Sequence, residues 1–234
     1  GLDTDSVRFG WKLSASERGK EQTAYQIVVK EGDTVVWDSG KVESGNTYGI
    51  AYEGEDLREK TQYDWYLTVW DELGTKAENA SWFETGISDW TGIEWIGGAG
   101  VKLLKKVHSF SGDISQAVRA RAYICGEGLY ELRINGQKVG DYVLTPPPSE
   151  YYSRAYYVTY DVKEYLRDGE NVIGILLGSS KKGKYYDNIY LARMLLEVTY
   201  ADGKTEQIVT DGESGWAQSY ESPITRDTYF YGED

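Results

Sequence analysis

Tyr63-Asp64-Trp65-Tyr66-Leu67-Thr68-Val69-Trp70 alternates with a period of two, placing Tyr63, Trp65, Leu67 and Val69 on one face. Aromatic and β-branched residues in that spacing predict a half-buried strand. Glu72-Leu73-Gly74 supplies a turn, and Ser81-Trp82-Phe83-Glu84-Thr85 reads as the closing strand. Upstream, Thr23-Ala24-Tyr25-Gln26-Ile27-Val28-Val29-Lys30 repeats the pattern, with Tyr25, Ile27 and Val29 together. Gly32-Asp33 turns the chain and Val35-Val36-Trp37 returns as a hairpin partner. About seven short strands in roughly ninety residues suit a fibronectin type III or immunoglobulin-like sandwich.

Working outward, a boundary falls near Gly86-Ile87-Ser88-Asp89-Trp90, after which the strand pattern restarts. Tyr130-Glu131-Leu132-Arg133-Ile134 is closed by Asn135-Gly136, the preferred pair for a tight type I′ hairpin turn. The apolar run Asn171-Val172-Ile173-Gly174-Ile175-Leu176-Leu177 predicts a strand buried on both faces. A second hairpin turns at Asp202-Gly203, and only Asp161–Leu166 reads as one or two helical turns. The expectation is an all-β chain: a fibronectin/immunoglobulin-like sandwich over 1–89 and a jelly-roll-like sandwich over 90–234.

Composition narrows the chemistry. Twenty-five basic residues against 38 acidic give a net charge of −13, which argues against nucleic acid and anionic membrane partners, since both need a basic footprint. No stretch approaches the about 18 apolar residues of a membrane span. One Cys and one His rule out a Cys/His zinc cage and an internal disulfide. A nucleophilic triad would have to run through His108, which sits in an alternating strand-like stretch with no elbow after it. With no disulfide and no leader, the cytoplasm is the expected compartment. Asp38-Ser39 and Asp71-Glu72 follow Trp-terminated strands and lead toward Gly, so turn formation accounts for them.

An ordered series of motifs resembles the opening module of bacterial α-L-rhamnosidases. It runs Phe9-Gly10-Trp11-Lys12-Leu13, Ala24-Tyr25-Gln26-Ile27, Trp37-Asp38-Ser39-Gly40, Tyr63-Asp64-Trp65, Val69-Trp70-Asp71, Phe83-Glu84-Thr85-Gly86 and Trp95-Ile96-Gly97. The second half is similar to that family's next module. It matches through Gly128-Leu129-Tyr130-Glu131-Leu132, Asn135-Gly136, Thr159-Tyr160-Asp161-Val162, Gly169-Glu170-Asn171-Val172-Ile173-Gly174 and Thr210-Asp211 with Trp216. The resemblance implies a protein that removes terminal α-L-rhamnose with inversion. Its two carboxyl groups, about 6.5–9.5 Å apart, stand on a downstream helical barrel. It further implies that this chain is the non-catalytic N-terminal region, with that barrel as its partner and no catalytic residue of its own.

Sugar recognition needs an aromatic face for C–H groups and planar polar groups for hydroxyls. Tyr151, Tyr152 and Arg154, together with Tyr185, Tyr186, Asp187 and Asn188, combine both in loop-like sequence and are the expected contacts for rhamnose-containing glycans. Strand tyrosines flanking a solvated loop are the plainer alternative. No cofactor is expected. Calcium is the one ion to consider, because some related second modules hold rhamnose through it. Asp141, Asp187 and Asn188 are its possible donors, without any recognisable calcium loop and so without an assigned metal ligand. A free-standing carbohydrate-binding protein and a protein-adhesion module are the alternatives from other classes.

Overall fold

The computed structural model describes residues 1–147, 149, 153–178, 189–212, 215–221, 227–228 and 232–233. They form two compact units, Gly1–Asp89 and Trp90–Asp234. Both are built of strands, as the alternating patterns require, and among the described residues the helical content is confined to single 3-10 turns.

In the first unit, β1 (Arg8–Gly10) pairs with β4 (Tyr48–Ala51). The strands β2 (Gln22–Glu31), β3 (Thr34–Asp38), β5 (Gln62–Asp71) and β6 (Lys76–Glu84) form an antiparallel sheet in the order β3-β2-β5-β6. The register sets Ile27 opposite Leu67 and Val29 opposite Trp65. Tyr25, Ile27, Val29, Tyr63, Leu67 and Phe83 then share a buried cluster with Val7, Phe9 and Leu57. Aromatic rings fill the space that few aliphatics leave: Phe9 lies 5.0 Å from Trp65 and 5.7 Å from Trp37, centroid to centroid. The acidic pairs serve as turns. Asp71 Oδ1 accepts the Leu73 and Thr75 N–H groups at 2.9 and 2.7 Å, and Asp38 Oδ1 accepts that of Gly40 at 2.8 Å.

The second unit holds two larger sheets. Its strands are β7 (Ile96–Ala99), β8 (Leu103–Ser109), β9 (Ala117–Glu127), β10 (Tyr130–Ile134), β11 (Gln137–Lys138), β12 (Tyr157–Asp161), β13 (Glu170–Leu177), β14 (Ile189–Tyr200), β15 (Thr205–Val209), β16 (Ala217–Ser219), β17 (Asp227–Thr228) and β18 (Gly232–Glu233). One sheet runs β11-β10-β13-β8-β16 and the other β12-β9-β14-β15, with β7 added on β14. Small residues face large ones across β9 and β14, Ala122 opposite Leu196 and Ala120 opposite Val198, and all four are fully buried. Gly97 on β7 has φ +116, and a side chain there would meet the Tyr190 carbonyl oxygen at 2.2 Å, so the β7–β14 approach requires glycine.

Two expectations change in detail. β13 is buried on one face only: Ile173, Ile175 and Leu177 are in the core, whereas Val172, Gly174 and Leu176 are half-buried. An antiparallel sheet with a single core-facing side explains this, and the run of apolar residues could not distinguish the two cases. The helical stretch at Asp161–Leu166 shrinks to a 3-10 turn over Lys163–Tyr165.

A carboxylate clasp closes the far edge of this unit. Glu206 accepts the Ser111 and Gly112 N–H groups and the Tyr200 hydroxyl, each at 2.8 Å. Partial burial would raise its pKa, but the Ser111, Tyr200 and Gly112 donors together outweigh burial and bring it down to about 2. Because the folded-state value lies below the ordinary 4.5, the clasp stabilises fully above that pH and is lost as pH falls from 4.5 toward 2. Glu206→Gln is therefore expected to flatten the acid limb of the thermal-stability profile between about pH 5 and 2. Melting the native and variant chains across that range checks it, and parallel profiles would contradict it.

Candidate functional site

Strand register places the described residues that flank the candidate stretches at one end of the second unit. Tyr157 opens β12 opposite Cys125, Tyr130 opens β10 opposite Leu177, and β14 begins with Ile189 opposite Ala99. The described residues bracketing the candidate stretches, Arg154 on one side and Gly178 and Tyr190 on the other, therefore belong to this end. Tyr151, Tyr152, Tyr185, Tyr186, Asp187 and Asn188 lie outside the described residues. Arg154 is exposed. Its guanidinium stands 6.0 Å from the Tyr156 ring centroid, and its carbonyl accepts the Ser149 hydroxyl at 2.8 Å.

Residues that sequence reasoning did not nominate surround that end. Lys102 Nζ donates to the Tyr190 hydroxyl at 2.7 Å and sits 3.9 Å from its ring centroid. Tyr142, Val143 and Leu144 are exposed on a small groove shared with Leu129, Tyr130, Glu131 and Lys138, and Tyr220 is 70% exposed. The available signal was a dense set of tyrosines within turn-rich sequence, which does not say which of them pack inward. Tyr130 does: it is buried and donates to the Ile124 carbonyl at 3.3 Å, and burial together with Tyr160 beside it keeps its hydroxyl protonated.

The other titratable candidates take structural roles. His108 lies on β8 with its ring 4.7 Å from Phe110, edge to face. Desolvation and the Lys106 charge lower its pKa against the opposing pull of Glu206, so its neutral form is favoured. Cys125 is buried, and burial pushes its thiol up to about 12, so it packs as a small apolar side chain. An open groove of about 810 Å³ is lined by residues that include Asp161, Glu164 and Asp168. There Arg121 pairs with Asp161 at 2.8 Å, and the Ile114 N–H bonds Asp168 at 2.9 Å. Among the described residues no cluster of three or more metal-ligating side chains occurs, and Asp141 is the one calcium donor candidate that falls among them.

Comparison with known proteins gives a consistent picture. A family model described as the alpha-L-rhamnosidase N-terminal domain matches residues 115–234, and one described as a Rha78A-like N-terminal immunoglobulin domain matches residues 1–89. An alpha-L-rhamnosidase of Formosa agariphila is 30% identical over 99% of the chain, and one of an Alteromonas species is 27% identical over 97%. The chain spans 29% and 28% of those relatives' lengths. The structure of the alpha-L-rhamnosidase from Dictyoglumus thermophilum superposes with a TM-score of 0.82 at 32% identity, over all of this chain and 29% of that one. The Aspergillus terreus enzyme gives 0.82 at 25% identity, over 99% and 29%.

Proposed function

The chain belongs to the alpha-L-rhamnosidase N-terminal domain family, and from that premise we propose that it is the non-catalytic N-terminal region of a rhamnoside-cleaving glycoside hydrolase. The observation that carries this reading is the match of two successive N-terminal family models to residues 1–89 and 115–234, while the whole chain spans under a third of the relatives' lengths. Inverting hydrolysis needs a protonated carboxyl at the leaving oxygen and a second carboxylate on the attacking water. That pair belongs to a partner domain, the helical catalytic barrel. The two modules, 1–89 and 90–234, support and orient it, the second being jelly-roll-like.

In this reading, the loop end of the second module contacts rhamnose-containing glycans. Tyr151, Tyr152, Tyr185 and Tyr186 offer stacking faces, while Arg154, Asp187 and Asn188 offer hydrogen-bonding groups. The exposed Arg154 supports it, because a guanidinium standing near the Tyr156 ring is the kind of pairing a hydroxylated ligand uses.

The purified chain is expected to leave 4-nitrophenyl α-L-rhamnopyranoside intact, as read by nitrophenolate absorbance over a long incubation. Turnover that scales with protein concentration would refute the non-catalytic assignment. Titrating L-rhamnose, with calcium and then with a chelator, tests the glycan contact and its ion dependence in one series.

A further inference from the structure

The solvent side of the first unit's four-stranded sheet exposes an aromatic pair. Pairing aligns Lys30, Asp64 and Trp82 in one row across β2, β5 and β6, and Val28, Tyr66 and Ala80 in the next. Residues two apart on a strand share a face, so Trp82 and Tyr66 are diagonal neighbours about 7–8 Å apart at the backbone. Trp82 is 59% exposed and Tyr66 43%. Lys30 Nζ lies 5.2 Å from the Tyr66 centroid. Ala80, exposed and small, leaves the floor beside both rings open.

Trp82 is the most exposed tryptophan among the described residues, ahead of Trp95 at 38%. Trp11, Trp37 and Trp65 pack on the first core, and Trp216 packs on the second. Trp90 is held between Arg193 and Tyr157, and Trp70 on this same sheet has two lysines over its ring, Lys41 and Lys76 at 5.2 and 5.3 Å, where Tyr66 has Lys30 alone. Among the described residues, no ring, cation or hydrogen-bonding partner engages the Trp82 indole.

We propose that this face, Trp82 and Tyr66 with Asp64 and Lys30, is a binding platform for an uncharged pyranoside. Three features select that ligand. The face intersperses Lys30, Lys41 and Lys76 with Asp38, Asp64, Glu78 and Glu84, so it concentrates no charge of one sign for an ionic partner. Two rings set among Lys30, Asp64, Gln26, Thr68 and Glu78 make a small apolar patch ringed by charge, whereas the core of a protein interface is depleted of charged residues. A pyranoside instead needs one or two rings for its C–H side, an acceptor carboxylate and a donor ammonium for its hydroxyls. The inference goes beyond the function proposed above, since it lies wholly in the first module and needs neither the second module's loops nor a catalytic barrel.

Saturation-transfer NMR on the full chain tests it, using the methyl α-L-rhamnoside, methyl β-D-glucoside and methyl β-D-galactoside as probes at up to about 10 mM. At least one should bind saturably, with transfer concentrated on its C–H face. Trp82→Ala and Tyr66→Ala should each weaken binding about tenfold or more, with unchanged melting temperature because both side chains lie outside the core. Trp82→Phe should retain part of the binding, and Val118→Ala, an exposed change in the second unit, should leave it unaltered. No saturable transfer from any probe, or equal affinity in Trp82→Ala, would overturn the platform. Binding lost in Arg154→Ala but kept in Trp82→Ala would also overturn it, while upholding the second-module reading. A concentration-dependent dimer abolished by Trp82→Ala would assign the surface to a second copy of the chain and equally defeat the proposal.

Discussion

Asn171→Ala should destabilise the second unit by about 3 kcal/mol, close to a hundredfold in its unfolding equilibrium. Asn171 is fully buried and all of its polar capacity is engaged. Its Oδ1 accepts from Asn135 Nδ2 at 2.8 Å and from the Arg167 N–H at 3.0 Å, while its Nδ2 donates to the Arg167 and Gly169 carbonyls at 2.7 and 3.1 Å. Asn135 continues the network, accepting the Val172 N–H at 3.0 Å and donating to the Tyr165 carbonyl at 2.9 Å. Truncation strands several buried groups at once, and that desolvation cost exceeds the value of any single bond. Asn171→Asp should be nearly as damaging, because a carboxylate cannot donate to the two carbonyls. Cys125, the lone and buried thiol, is a built-in reporter. Its labelling midpoint in urea should fall in both variants, and an unchanged midpoint would show that the network carries little stability.

Tyr63→Ala should cost the first unit about 4 kcal/mol. Tyr63 is 1% exposed, stacks on Phe83 at 5.3 Å between centroids, and accepts the Arg58 N–H at 2.9 Å through its hydroxyl. Removing it opens a large cavity in a cluster of few members and frees Phe83 from its neighbour. Tyr63→Phe separates the contributions: keeping the ring and losing the acceptor should cost about 1 kcal/mol. Tryptophan fluorescence reads this unfolding through Trp37 and Trp65, which pack beside Phe9 in the same core. Cys125 labelling is expected to stay at its native midpoint. A common shift of both signals would mean that the two cores do not unfold separately.

The Asn135-Gly136 pair shows how far the sequence could be read. Its turn chemistry was legible because type I′ geometry demands positive φ at two successive residues, and Asn135 and Gly136 adopt +53 and +84. Its second task, joining that turn to Asn171 across 36 residues of sequence, was not legible, since nothing local marks which buried amide another will meet. The candidate sugar site divides in the same way. Residue chemistry singled out the loop tyrosines and Arg154. Of these Arg154 alone falls among the described residues, and the Lys102–Tyr190 contact went unnoticed because its partners lie 88 positions apart.

Period-two alternation, turn residues and the ordered family motifs were enough to establish an all-β chain and its kinship, because each is a short-range property of the backbone or a direct imprint of descent. Which side of a strand faces solvent depended on what the rest of the molecule places over it. Trp65 and Tyr66 are neighbours in an aromatic strand of uniform appearance, yet one packs against Phe9 and the other stands in water beside Trp82. Burial is a long-range outcome of packing, and the tertiary structure alone decided which aromatics became core and which were left free to bind.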